Sequence, residues 1–404
     1  MKKERGFHRL IRAACLILAL AILVPMFACG EEATTYAEGS KGKQVQEINK
    51  RLQTLRYMKK GNAKKQYTDK TAEAVAAFQR LNGLPETGEV DPKTWEVLFS
   101  DAALPAPWPT LVPLSTPEPP QEPEMPETDE DGYLTGDGEF FYENEKEGRW
   151  YYLSRDLQIY VRKYRDGSVP LEWFETEIFT RNDERFQTVM SNPDRPSSQF
   201  RYPYDIAKDA KFVLGFSDDF YADRVTAKQT VGNIIREGQI LYDKTFSKHL
   251  HSLPNLDMMA QYPDGRLEVY LCDEYSAQDL LDKGAINVFS FGPILIRDGE
   301  INELLYTYYR STEPRQALGM IEPNHYLLLS VLGRSSSSKG TMLQRVAEMM
   351  KNKGVTQALN LDGGNTLAIV FHGNILNRKA TWKNRTFYRT VTSLIGIGHT
   401  ENWE

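Results

Sequence analysis

Cysteine is scarce in this chain. The 404 residues include only three cysteines, and two of them, Cys15 and Cys29, lie close to the amino terminus. A disulfide framework is therefore excluded, and the fold must be held together by packing. The third, Cys272, lies in a strand-like stretch, which predicts a small core residue rather than a nucleophile.

Several catalytic motifs are absent as well. The sequence has no Gly-x-Ser-x-Gly elbow, no His-Glu-x-x-His helix, no phosphate-binding P-loop and no cysteine pair for zinc. His325 and His372 border strand-like runs and are predicted to be structural or exposed. The net charge of -6, together with the export signal described next, argues against a nucleic-acid partner.

The amino terminus, residues 1–29, has the layout of an export signal. Basic residues precede an uncharged apolar run at 13–28. This run is shorter than the ~20 residues of a comfortable membrane span, but an uncleaved anchor stays an alternative. Residues 26–29 resemble a lipoprotein cleavage box, so lipidation of Cys29 is a further hypothesis. We expect an extracellular protein associated with the cell wall or the membrane.

A proline-rich segment divides the rest of the chain. Nine of the 21 prolines fall between Pro105 and Pro126, and residues 101–135 carry eight acidic and no basic side chains. This composition predicts a stiff, acidic linker. It separates a small domain at 38–100 from a large one at 136–404.

The small domain is predicted to be a bundle of three helices. Helical spacing relates Val45, Ile48 and Leu52, and again Val75 and Phe78. Before the third helix, Asp91-Pro92 supplies an N-cap and a first-turn proline.

The sequence of this segment resembles the peptidoglycan-binding domain found beside many cell-wall hydrolases. The resemblance rests on residues 39–45, 52–57, 71–79, 82–84, 87–88 and 90–95, and it implies peptidoglycan as a partner. The lysines at 59, 60, 64 and 65 favour an anionic wall polymer as the alternative partner. The third hypothesis is that these lysines only form a solvated surface and bind no partner.

The large domain is predicted to be mixed α/β, with a mixed β-sheet. Strand patterns occur at 157–164, 173–180, 266–272, 287–291 and 294–296. The apolar run 326–332 predicts a strand that is covered on both faces. A helix follows, with Thr341 and Gln344 as a capping box and Gly354 as its stop, and residues 358–361 form the next strand. Strand, helix and strand together predict a βαβ unit.

Polar residues follow both strands of this unit. The first strand leads to Arg334 and a serine-rich segment ending at Gly340, and the second leads to Asp362-Gly363-Gly364-Asn365-Thr366. Parallel neighbouring or next-but-one strands bring these ends within roughly 5 to 10 Å. An arginine, hydroxyls and glycine amides facing a carboxylate are suited to an anionic diester. Alternatively, Asp362 and Asn365 hold a divalent cation, calcium or magnesium.

At this point the large domain resembles the phosphodiester glycosidase family, whose members include N-acetylglucosamine-1-phosphodiester α-N-acetylglucosaminidases. The resemblance runs from about residue 145 to 398 and rests on residues 287–299, 314–319, 333–334, 358–366, 372–374 and 377–378. It implies a mixed α/β fold, and an enzyme that removes a sugar, N-acetylglucosamine in the known case, from a glycosyl 1-phosphodiester.

The resemblance also implies site residues. Asp362 is the implied catalytic carboxylate, and Asp218 or Asp219 is the candidate for a second one, because an upstream family motif appears here only as residues 215–220. If this change has cost activity, the chain is instead a non-catalytic glycan-binding protein of the cell wall. The candidate substrate-binding residues are Arg315, Arg334, Ser338, Gly363, Gly364, Asn365, Thr366 and Arg378.

Overall fold

The computed structural model describes residues 34–58, 61, 63–107, 123–192, 200–219, 222–377, 380–382, 385–387 and 389–403. The signal at 1–29, Lys59, Lys60, Arg378 and the middle of the proline-rich segment lie outside these residues. The chain forms two compact units, Met1–Trp108 and Pro109–Glu404. Within the described ranges, no helix combines the length and the apolar character that crossing a membrane would require.

The first unit contains the three predicted helices, α1 (Lys43–Thr54), α2 (Asp69–Leu81) and α3 (Pro92–Phe99). Their apolar faces meet in one core, in which Val45, Ile48 and Phe78 are fully buried. The Asp91 carboxylate accepts a hydrogen bond of 2.7 Å from the Thr94 N–H, as expected of an N-cap. Residues 101–107 also pack here, since Ala106 N–H donates to the Leu55 carbonyl at 2.8 Å.

The second unit is built mainly of strands. In chain order, its first ten strands are β1 (Phe140–Asn144), β2 (Arg149–Leu153), β3 (Leu157–Arg165), β4 (Glu172–Thr180), β5 (Gln187–Met190), β6 (Phe212–Phe216), β7 (Gly232–Arg236), β8 (Gln239–Lys244), β9 (Asp257–Gln261) and β10 (Leu267–Tyr270). The later strands are β11 (Asn287–Phe291), β12 (Ile294–Arg297), β13 (Glu300–Ile301), β14 (Arg315–Glu322), β15 (His325–Val331), β16 (Gln357–Leu361), β17 (Ile369–Phe371), β18 (Asn374–Ile375), β19 (Ala380–Trp382), β20 (Arg385–Phe387) and β21 (Ser393–His399).

Helices in this unit are few and short among the described residues. They are α4 (Pro203–Asp209), α5 (Ala222–Thr226), α6 (Ala277–Asp282), the 3₁₀ turn Glu303–Tyr306 and α7 (Leu343–Asn352). The capping box predicted at Thr341 and Gln344 is wrong, because α7 has Met342 at its N-cap and no side-chain cap there. Thr341 forms a bridge with Glu313 instead.

The strands make three larger sheets and a hairpin. The sheet orders are β1-β2-β3-β4-β15-β14-β16-β12-β13, β10-β9-β11-β7-β8, β18-β17-β6-β21-β5 and β19-β20. Each of the described strand pairs is antiparallel. β15 and β16 both run antiparallel to β14, which lies between them, so the βαβ strands are parallel and next-but-one. The mixed α/β class is confirmed. The expectation of a mixed β-sheet is corrected, because the parallel strands β15 and β16 are separated by β14 and the described strand pairs are all antiparallel.

The nine-stranded sheet is covered on both faces. Leu328 of β15 packs into one hydrophobic cluster, whereas Leu327 and Leu329 pack into a second cluster together with the apolar face of α7. The continuous apolar run of β15 follows from this double burial. Cys272 is also fully buried, and burial raises the pKa of its thiol to about 12, as expected of a core residue.

Candidate active site

The site begins at one edge of the large sheet, where the ends of three neighbouring strands lie side by side. Arg315, the first residue of β14, lies opposite Val331 at the end of β15, and Gln316 lies opposite Leu361 at the end of β16. One strand therefore starts at the level where its two neighbours stop. Arg315 is placed between the segments that follow β15 and β16.

Residues 362–365, which we call the Asp-Gly-Gly loop, follow β16 directly. The Asp362 N–H donates to the Asp218 carbonyl at 3.0 Å, and the Gly364 N–H donates to the Pro314 carbonyl at 3.0 Å. A Cβ atom on Gly363 would lie only 2.7 Å from the Pro314 carbonyl oxygen. The loop is glycine-rich because its backbone lies directly against the backbone that precedes β14.

Arg315 is a buried cation with neutral partners. Its side chain donates from Nη2 to the Ser311 carbonyl at 2.7 Å and to Ser311 Oγ at 2.9 Å, and from Nε to the Thr341 carbonyl at 3.3 Å. Among the described residues, Nη1 has no acceptor. Burial lowers the pKa of Arg315 to about 10, opposed by the charge of Glu313 and assisted by that of Arg334.

Arg334 follows β15 and joins the two sides of the site. It donates to Glu313 Oε2 from Nε at 2.9 Å and from Nη2 at 2.7 Å, and its Nη1 donates to Asn365 Oδ1 at 2.5 Å. Its backbone φ of 56° lies in the left-handed region, which is uncommon for a residue with a side chain. Because Arg334 occupies Asn365 Oδ1, that oxygen already has a cationic partner.

These groups surround a cavity of about 710 Å³. Its wall combines the polar residues with an apolar side formed by Leu253, Pro254 and Phe291. The predicted site residues in the wall are Arg315, Arg334, Asp362, Gly363, Gly364 and Asn365. The volume is in the range of pockets that enclose small-molecule ligands.

The other two candidate carboxylates are not in this wall. Asp219 is fully buried and forms an ion pair with Arg236, while its second oxygen accepts from the Ser290 N–H. The Asp218 carboxylate accepts from the Ser393 hydroxyl. Asp218 reaches the site through its carbonyl, which holds the Asp362 N–H.

The remaining predicted residues have structural contacts. Ser338 is fully buried, and its hydroxyl donates to the Leu332 carbonyl at 2.5 Å and accepts from the Glu172 N–H at 3.1 Å. The Thr366 carbonyl accepts from Ser217 Oγ at 2.7 Å. Neither Ser338 nor Thr366 is among the residues that line the cavity. Arg378 lies outside the described residues.

Sequence reasoning missed Ser311, Glu313, Asn360 and Arg389, which also line the cavity. Glu313 was detectable, since it directly precedes the Pro314-Arg315 motif. Asn360 is also adjacent to a motif, the Asp-Gly-Gly loop, and its buried Oδ1 has no partner among the described residues. Arg389 could not be predicted, because it stands in no recognised motif and is distant in the chain from the other residues of the site.

Comparison with known sequences identifies both units. Residues 210–398 match the sequence model of the phosphodiester glycosidase family, and residues 41–98 match that of the peptidoglycan binding domain. The second unit thus contains a region, residues 210–398, that is similar to the phosphodiester glycosidase family. Both resemblances found in the sequence are thereby confirmed.

Individual relatives are more distant. The SPbeta prophage-derived uncharacterized protein YomE of Bacillus subtilis (strain 168) is 29% identical over 134 residues, which are 32% of this chain and 21% of YomE. This chain thus spans about a fifth of the length of the curated relative it matches.

Two solved structures are also similar to part of this chain. The zebrafish N-acetylglucosamine-1-phosphodiester alpha-N-acetylglucosaminidase catalytic domain, auto-inhibited by its pro-peptide, is 19% identical with a TM-score of 0.48; the match covers 61% of this chain and 83% of that one. A hypothetical protein from Synechocystis is 12% identical with a TM-score of 0.40, and the match covers 60% of this chain and 62% of that one.

Proposed function

We propose that this protein is an exported, cell-wall-associated hydrolase that cleaves a sugar, N-acetylglucosamine in the first instance, from a glycosyl 1-phosphodiester. The observation that carries the proposal is Arg315, a buried guanidinium in the cavity wall whose hydrogen bonds all go to neutral acceptors. A buried charge without a carboxylate at hydrogen-bond distance needs an anion. A phosphodiester meets that need.

In the proposed complex, the phosphate lies at Arg315. The Arg315 Nη1 donates to one phosphate oxygen, and Arg334 adds positive charge from the segment after β15. Because Gly364 already donates to Pro314, only the Gly363 N–H of the two glycine amides is assigned to a ligand oxygen. Gly364 instead fixes the loop in place.

Asp362 is assigned to the sugar side of the bond. Water attacks the anomeric carbon, the bond between that carbon and the phosphate oxygen breaks, and the phosphate monoester leaves with the bonding electrons. The developing positive charge on the sugar is stabilised by the Asp362 carboxylate, which also accepts a proton from the water. Phosphate is a weakly basic leaving group, so a strong second acid is not required.

The first test is turnover by the full-length chain. It should release free N-acetylglucosamine from a methyl phosphodiester of N-acetylglucosamine 1-phosphate. Asp362→Asn should lower the rate by about 100- to 1000-fold, because a charge next to the reacting carbon is lost. The matched control is Asp137→Asn, since the Asp137 side chain is 90% exposed and pairs only with Arg155 among the described residues. Absence of turnover on several sugar phosphodiesters would refute the enzymatic proposal.

The second candidate function is a non-catalytic glycan-binding protein. It is favoured by one observation, namely that both Asp218 and Asp219 hold internal partners rather than line the cavity. This alternative predicts binding of the diester without release of sugar. Both functions require the cations, so unchanged affinity in Arg315→Ala and in Arg334→Ala would contradict both.

The peptidoglycan binding domain is proposed to hold the enzyme at the wall. Lys64 and Lys65 are exposed on this domain, which keeps an anionic wall polymer as the competing target. Sedimentation of the full-length chain with intact walls, and with walls stripped of anionic polymer, separates the two. Retention on stripped walls supports peptidoglycan, and loss of retention supports the polymer.

A further inference from the structure

The connection between β8 and β9 carries a second cluster of reactive side chains. Residues 245–256 contain no helix or strand, yet they supply Leu253 and Pro254 to the apolar wall of the cavity. Long connections without regular structure are usually anchored when they take part in a site. The anchor here lies near His249.

Three side chains of different chemistry meet at this anchor. His249, Asp257 and Cys272 each offer one metal-binding atom, and the three atoms lie within 4.8 Å of one another. The closest pair is His249 Nδ1 and Asp257 Oδ1, at 3.0 Å. Asp257 and Cys272 are fully buried, and the His249 side chain is 15% exposed.

Asp257 is a buried carboxylate that has no arginine or lysine partner within the described part of the chain. It accepts from Asn255 Nδ2 at 2.7 Å, from the N–H of Ile294 at 3.0 Å and from the N–H of Cys272 at 3.2 Å. By contrast, Asp219 is buried against the cation of Arg236. Fully buried carboxylates are paired with cations or coordinate metals, and among the described residues His249 is the one cationic candidate that contacts Asp257.

The other two members are also short of partners. His249 Nε2 is buried and has no hydrogen-bond partner among the described residues. Cys272 Sγ has one weak contact, to the Lys248 carbonyl at 3.6 Å. His249 Nδ1 faces Asp257 Oδ1 at 3.0 Å and is therefore the nitrogen that would bind an ion shared with Asp257.

We propose that His249, Asp257 and Cys272 bind one first-row transition metal ion, of which zinc fits best. Imidazole nitrogen, thiolate sulfur and carboxylate oxygen together form a donor set typical of zinc, with ligand distances of about 2.0 to 2.3 Å. Such distances place donors roughly 3.4 Å apart, so the 3.0 Å pair of His249 and Asp257 is already close enough, and a donor as far as 4.8 Å away would have to approach by about 1 Å. The ion would secure the connection that bears Leu253 and Pro254.

The competing explanation is an imidazolium paired with the Asp257 carboxylate and no metal at all. The two explanations differ in whether the thiol takes part. A metal requires the Cys272 thiolate, whereas an imidazolium pair leaves Cys272 as a spectator.

The test is a titration of chelator-treated, full-length protein with Co²⁺, followed by competition with Zn²⁺. We expect one ion per chain, a sulfur-to-cobalt charge-transfer absorption band, and a higher melting temperature with zinc. Cys272→Ser should abolish the band and weaken zinc binding at least tenfold, and His249→Gln should weaken it to a similar extent.

Two controls make the result specific. His399→Gln changes an exposed histidine, and the double variant Cys15→Ser, Cys29→Ser removes the other thiols; both should bind like the wild type. Circular dichroism confirms that each variant is folded. The proposal is overturned if the wild type binds no ion in stoichiometric amount, or if Cys272→Ser and His249→Gln both bind zinc as tightly as the wild type. None of the three donors lines the cavity, so sugar release is not part of this test.

Discussion

Two carboxylate-bearing segments of the second unit look alike in sequence and differ in the structure. The Asp-Gly-Gly loop follows β16 and faces the cavity, whereas Asp218 and Asp219 follow β6 and have internal partners. Both segments place acidic residues just beyond a buried strand. The contrast shows that a position just beyond a buried strand does not by itself bring a carboxylate to the cavity wall.

The strongest test of the contrast between the two segments is the variant Asp219→Ala. If Asp219 is structural, its loss leaves Arg236 buried without a counter-charge, and the free energy of unfolding should fall by about 3 to 5 kcal/mol. Urea denaturation of the full-length chain measures this change. The matched variant Asp137→Asn, at a side chain that is 90% exposed, should leave stability nearly unchanged. A variant at 219 that is as stable as the wild type yet inactive would reverse the assignment.

The second expected effect is on affinity at the cavity. Arg315→Gln should weaken binding of a sugar phosphodiester by about 10- to 150-fold, since a hydrogen bond to a charged group is worth about 1.5 to 3 kcal/mol. Calorimetry in the Asp362→Asn background avoids turnover during the measurement. Arg155→Gln is the control, because the Arg155 side chain is 63% exposed and pairs with Asp137. Equal losses in both variants would mean that general charge, and not the site, attracts the ligand.

Gly363 and Gly215 test how closely the backbone of each segment is packed against its neighbours. A Cβ on Gly363 would meet the Pro314 carbonyl oxygen at 2.7 Å, while a Cβ on Gly215 would meet the Leu394 side chain at the same distance. A side chain can turn away but a backbone cannot, so Gly363→Ala should displace the loop and lower diester affinity by about 1 to 3 kcal/mol. Gly215→Ala should lower stability alone. Calorimetry and urea denaturation of both variants separate these effects.

The smallest effect is expected at Ser393. Its hydroxyl donates to the Asp218 carboxylate, so Ser393→Ala removes one buried hydrogen bond and should cost about 1.5 kcal/mol of stability, the lower end for a hydrogen bond to a charged group. Michaelis–Menten parameters should stay close to those of the wild type. A large fall in kcat with stability intact would show that Asp218 acts in the reaction.

Much of the fold was predictable because burial leaves a periodic pattern. The bundle core at Val45, Ile48 and Phe78 and the doubly covered strand β15 were both visible in the spacing of apolar residues. The insertion of β14 between β15 and β16 was not, since strand order depends on pairing between residues that are distant in the chain. The start of α7 was misplaced because Thr341 is used by a bridge to Glu313.

The site was predicted in part for the same reasons. Arg315, Arg334 and the Asp-Gly-Gly loop stand in local motifs and reach one cavity. Ser338 lies in an equally suggestive local pattern, but its hydroxyl is engaged in hydrogen bonds within the chain. Nothing in a single sequence distinguishes a hydroxyl that faces a cavity from one that closes a turn. Arg389 and the cluster at His249 arise only from tertiary contacts.

The position of β14 has a consequence for the local stability of the Asp-Gly-Gly loop. The amides of Asp362 and Gly364 donate to carbonyls on the separate segments at Asp218 and Pro314. Their exchange with deuterium should therefore be as slow as that of the sheet interior, unlike the fast exchange usual for exposed loops. Because these contacts join distant parts of the chain, the side of the cavity formed by Arg315 and the Asp-Gly-Gly loop should form late in folding and be lost in the same step as the sheet.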